Sequence, residues 1–211
     1  GDVLKGLQDD FKAVFTSVPT DVETASSTLS MLYDRTGLTG EALQTLTKQM
    51  LELARITESD ATTSAENYTR VLGDWGIKTE DASDMLDTFF VASQKTGVSV
   101  DDLMAQVVQF GAPLRAMGFR LKDSIAMFAK WQKEGVNTTQ AMSGLRIATA
   151  KFADEGKPVQ QSLWDTIDAI QTMEDPTQAL SLALDTFGAR AGPVLADAIR
   201  QGRFGIDDLK A

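Results

Sequence analysis

The chain of 211 residues contains no cysteine and no histidine. Without cysteine it has no disulfide and no thiolate nucleophile. Without histidine it lacks the commonest general base and the commonest transition-metal ligand. A Ser-His-Asp triad, a Cys-His dyad and a His- or Cys-ligated zinc site are therefore excluded within this chain. Long apolar runs are missing too. The longest are patches such as Phe89-Phe90-Val91-Ala92, far short of the roughly 18 residues that span a bilayer. Basic charge is in deficit: Lys+Arg number 20 against Asp+Glu 30, for a net charge of −10. That argues against a nucleic-acid binder, which needs a basic footprint, and against a basic amphipathic membrane binder. Sustained two-residue alternation is absent and β-branched residues are scattered, which argues against sheet. No secretory leader is visible. The chain opens at Gly1 inside a helix-like pattern (Val3, Leu4, Leu7, Phe11, Val14, Phe15), so it is expected to be a piece of a longer protein.

What is present is a recurring cassette of a glycine, an apolar residue, a few polar residues and a new helix. It reads Gly37-Leu38-Thr39, Gly76-Ile77-Lys78-Thr79, Gly97-Val98-Ser99, Gly118-Phe119-Arg120 and Gly135-Val136-Asn137-Thr138. A glycine just past a helix end takes the left-handed conformation without side-chain cost, and the apolar residue after it packs back on the helix it leaves. A following Ser or Thr is suited to cap the next helix. Gly205-Ile206-Asp207-Asp208-Leu209 reads as one more cassette.

Between corners, apolar residues recur at helical spacing. Leu43, Leu46, Met50 and Leu53 make one stripe, ended by Glu58-Ser59-Asp60. Ala82, Met85, Leu86, Phe89 and Phe90 make another; Leu121, Ile125, Phe128 and Trp131 a third; Met142, Leu145, Ala148 and Phe152 a fourth. Pro19 interrupts the first helix, Gly111-Ala112-Pro113 breaks the one before Leu114, and Asp154 to Pro158 stops one helix and starts another carrying Leu163, Ile167 and Ile170. Asp175-Pro176 is a cap-and-proline start. Gly188-Ala189-Arg190-Ala191-Gly192-Pro193 reads as a glycine-bracketed turn before a last full helix. The fold class is all-α: a compact assembly of roughly ten helices joined by short glycine-containing corners. Residues 1–36 are expected to form N-terminal helices continuing from upstream sequence, and 37–211 a helical core. Within that core, 76–97 and 118–135 are related units that differ in length by about one helical turn.

Candidate chemistry is sparse. Glu134, Asp154, Glu155 and Glu174 are the loop-proximal acids from which a glycosidase pair would be drawn, but they sit where helix ends alone account for acids. The 188–192 segment has the form of an anion cradle at a helix start, yet lacks the Lys-Ser/Thr of a P-loop, and a tight helix–helix turn explains it better. The aromatic and methionine stripes read as core, not as a ligand pocket. Arg115, Arg120, Lys122, Lys130, Lys133 and Arg146 read as a solvated face. No catalytic, cofactor-binding or metal residue is expected; Gly37, Gly76, Gly97, Gly118, Gly135, Gly188, Gly192 and Pro193 stand out as structural corners.

The order of these corners carries a resemblance. Gly97-Val98-Ser99-Val100-Asp101-Asp102-Leu103, Phe110-Gly111-Ala112-Pro113-Leu114, Met117-Gly118-Phe119, and Lys133-Glu134-Gly135-Val136-Asn137 through Met142-Ser143-Gly144-Leu145-Arg146 resemble the core region of phage tail tape measure proteins. Phe187 to Pro193, followed by Ala198-Ile199, is similar to the pattern that closes that region. The resemblance runs from about Leu38 to Leu209. It implies a helical structural domain of a longer chain that lies in the virion tail, contributes to tail assembly and tail-length determination, and is assembled in the host cytoplasm. The implied partners are other tail proteins: tube, tip or assembly chaperones. It carries no catalytic residue and no cofactor onto these positions. Two other readings stand beside it: a generic helical protein–protein interaction module, and a carboxylate-based cell-wall glycan hydrolase.

Overall fold

The computed structural model describes residues 2–204; the Gly205 cassette lies outside them. Among the described residues there are eleven α-helices and one short 3-10 turn, and no strand. The all-α reading is therefore correct. The chain divides into two compact units, 1–91 with 99–108 and 92–98 with 109–211.

The first unit holds α1 (Asp2–Phe15), α2 (Val22–Thr36), α3 (Gly40–Thr57), α4 (Ala61–Trp75), the 3-10 turn Thr79–Asp81, the body of α5 (Ala82–Thr96) and α6 (Val100–Gln109). Helix α2 packs on α3 and α4, and α1 packs on α2 and α3. Leu32, Leu43, Leu46, Met50, Leu53, Tyr68 and Val71 are fully buried. The stripe 43-46-50-53 thus faces inward, at the period its sequence announced. Tyr68 donates its hydroxyl proton to the Ala82 carbonyl and meets Phe89 edge-on at 6.3 Å. Burial pushes the Tyr68 phenol well above its ordinary value. Two bonds tie α6 to α4: Trp75 Nε1 donates to the Val107 carbonyl at 3.0 Å, and Ser64 Oγ donates to Asp101 at 3.1 Å.

The second unit holds α7 (Gly111–Ala116), α8 (Leu121–Lys133), α9 (Thr138–Asp154), α10 (Val159–Thr172) and α11 (Pro176–Arg200). Helix α11 packs on α9 and α10. It is two arms, because Gly188 breaks it with φ 80° and ψ 164°, a region open essentially to glycine alone. The arms fold back tightly: a Cβ on Gly192 would lie 2.9 Å from the Ala183 oxygen and the Leu184 Cα. Gly192 and Pro193 are thus inside the second arm, and the turn is the single residue Gly188. What Gly192 supplies is close backbone approach. Gly144 of α9 likewise allows close approach, to Phe187 at the end of the first arm and to Ala191 and Leu195 of the second. A run of aromatic contacts fills the core from Phe110 through Phe128 and Trp131 to Phe204; the last pair is stacked at 4.6 Å.

Candidate interaction surfaces

The corner glycines share one geometry. Gly37, Gly76, Gly97, Gly118 and Gly135 have φ between 63° and 87°. At Gly76, Gly118 and Gly135 the following residue bonds back five positions, as in Val136 N to Trp131 O at 2.8 Å, which closes the last helical turn. Phe119 and Val136, the residues after two of these glycines, are buried. Gly156 and Gly202 have the same conformation with the same back-bond from the next residue, so the device is used more often than the cassette spelling shows. Every one of these corners is explained by backbone conformation, and none requires a ligand.

Capping is more varied than the cassette implies. Ser99 accepts from Asp102 N and Asn137 from Gln140 N. Asp21 and Asp60 accept from Thr24 N and Thr63 N, and those bonds hold both carboxyls below their ordinary value. Thr39 makes no side-chain cap. The start of α3 is instead met from α1: Asp10, 4% exposed, accepts from Gly40 N at 3.0 Å and from Gln44 Nε2 at 2.7 Å. Nothing in the local sequence around Thr39 signals a carboxylate arriving from thirty residues upstream.

The acids singled out from sequence are dispersed. Glu134 and Glu155 are exposed C-caps of α8 and α9; Asp154 and Glu174 are exposed at helix ends. Glu155 pairs with Lys157 at 2.6 Å. Among the described residues no three acids gather as a metal cluster, and no helix is long and apolar enough to cross a membrane. Of the basic residues, Arg120 forks onto Asp123 with two 2.8 Å bonds, which raises its own pKa. The stripes of Phe89, Phe128, Trp131, Phe152, Met85, Met127 and Met142 are buried core, whereas Phe90, read with them, is half-buried.

Arg190 shares a groove of about 340 Å³ with Asn137, Thr139, Gln140 and Ser143, at the start of α9 and of the second α11 arm. The larger groove lies between α1 and α2, about 570 Å³, lined by Leu4, Leu7, Gln8, Phe11, Lys12, Ser26, Leu29 and Ser30. Four of the nine exposed large hydrophobic residues among those described, Val3, Leu4, Phe15 and Val22, belong to this hairpin. The signal was present in the sequence. Six large apolar residues crowd the 14-residue α1, more than its packing on α2 and α3 covers.

An all-α framework of glycine corners, with its chemistry-bearing side chains spread over helix ends and its notable features on helix faces, has the character of a structural and interaction protein. The chain belongs to the phage-related minor tail protein family, whose sequence model matches residues 8–201. No curated protein and no solved structure matches it. Membership makes it a component of a phage tail and other tail components its class of partner.

Proposed function

We propose that this chain is a helical domain of a tape measure protein, a non-catalytic part of a longer chain that supports tail assembly and tail-length determination. On this reading it enters the tail during assembly in the host cytoplasm and meets tube, tip or chaperone proteins through its helix faces. The observation that carries the reading is the order of the corners from Gly97 to Pro193, read within a family match that spans residues 8–201. The dispersal of Glu134, Asp154, Glu155 and Glu174 to exposed helix ends supports a structural role over carboxylate catalysis, which needs two carboxyls about 5–10 Å apart across a cleft. The test is an in-frame deletion of this region in a phage that carries it, followed by electron microscopy of lysates. Absent tails, or tails of altered length, are expected. Normal tails with unchanged infectivity would overturn the proposal.

A further inference from the structure

We propose that the exposed face of the α1–α2 hairpin is a self-association surface, in which two copies of the chain pair as a four-helix layer. It rests on the hairpin itself and not on the tape-measure reading. The face is apolar and open: Leu4 is 66% exposed and Val22 57%. The groove beside them is floored by Leu7, Phe11 and Leu29. An apolar face of this kind on a folded chain marks a contact site.

Shape and charge select a second copy as the occupant. Along α1, Leu4, Phe11 and Phe15 form a ridge, with Phe11 and Phe15 stacked at 5.6 Å. Along α2, Ser26 and Ser30 are four residues apart and line the groove, leaving a shallow track. A ridge on one helix and a track on the other make the face complementary to itself. Lys5 and Lys12 flank the ridge and are exposed. Glu23 and Asp34 continue the stripe of Ser26 and Ser30 and are exposed too. Among the described residues none of these four charges has an ion-pair partner.

The two helices run antiparallel, since the start of α1 shares a groove with Tyr33 and Gly37 at the end of α2. With Lys12 near the level of Glu23, Lys5 then falls within about one helical turn of the level of Asp34. A two-fold axis parallel to the helices lays α1 of one copy on α2 of the other and brings each lysine to an acid. An axis across the helices would instead set α1 against α1, lysine facing lysine. The charges choose the first arrangement. With helices of 14 and 15 residues, each about 21–23 Å long, the contact falls at the small end of specific interfaces, so the dimer is reversible.

Sedimentation velocity of the 211-residue chain over a concentration series tests this. The expected result is a concentration-dependent monomer–dimer equilibrium. Leu4→Glu and, separately, Val22→Glu are expected to weaken it tenfold or more; both sites are exposed, and circular dichroism checks that the fold is kept. Lys12→Glu and Glu23→Lys are each expected to remain monomeric alone but to form a heterodimer when mixed, because both inter-copy pairs are then restored. A chain that stays monomeric up to about 1 mM, where even weak association registers, would overturn the proposal. So would a dimer indifferent to Leu4→Glu and to the charge mixing, which would place the contact elsewhere.

Discussion

At the residue scale the chain relies on conformations and caps. Glu58 closes α3 in the left-handed region with φ 55°, the one non-glycine residue described there. This conformation costs a side-chain-bearing residue about 1–2 kcal/mol; the job is the one glycine does at the other corners. Asp21 and Asp60 act differently, through charge. Each carboxylate accepts a backbone N–H in the first turn of its helix, and this lowers its pKa from the ordinary 3.8. A carboxyl with a folded pKa below its unfolded one adds stability above the unfolded value, and that stability disappears as pH falls through the folded value. These caps therefore contribute fully at neutral pH and fade below about pH 4. Asn is an equally good cap but does not titrate. Asp21→Asn with Asp60→Asn should leave the melting temperature near pH 7 little changed. It should also make the loss of stability between about pH 4 and pH 2 shallower than in the parent chain, as read by thermal melts across pH.

At the element scale the sequence carried much of the fold, and its failures have physical causes. The stripes of α3, α5, α8 and α9 were legible because a helix buried on one face must repeat its apolar residues every three or four positions. The corners were legible because few residues other than glycine sit comfortably at positive φ. Gly192 was misread as the end of a turn. Local sequence cannot tell a glycine that bends the chain from one that lets two arms of a helix touch, and the partners here are the Ala183 and Leu184 backbone. The Asp10 cap on α3 was illegible for the same reason, since its partners lie thirty or more residues away. The exposed α1–α2 face was half legible. The surplus of apolar residues on α1 could be counted, but which of them the neighbouring helices leave open could not. The two kinds of helical glycine make opposite predictions. Gly192→Ala pushes a methyl into backbone and should cost about 1–3 kcal/mol. Gly73→Ala in α4, with nothing within 4 Å of the new Cβ, should gain about 0.5–1 kcal/mol. Urea melts of the two variants beside the parent give both signs in one experiment.

At the scale of the whole molecule, the two compact units do not correspond to two halves of the sequence. The chain leaves the first unit after residue 91, returns at 99 and leaves again after 108. The returning segment is α6, which buries Val100, Leu103, Met104 and Val107. It also accepts the Trp75 indole proton and the Ser64 hydroxyl proton from α4. Burying four such side chains contributes about 1.5–3 kcal/mol each, together as much as the whole net stability of an ordinary domain, about 5–15 kcal/mol. The glycine corner at Gly97 is what lets α5 end and α6 turn back. A chain cut after residue 108 therefore retains the parts of the first unit, whereas one cut after residue 91 loses part of its core and the bond from Trp75 to Val107. The 1–108 piece should show a helical circular dichroism spectrum and a cooperative thermal transition. The 1–91 piece should melt broadly, or at a temperature lower by well over 10 °C, the shift expected for several kcal/mol in a domain of this size. Equal, cooperative melts for the two pieces would mean that α6 is dispensable to the first unit and that its buried side chains do not hold α4 in place.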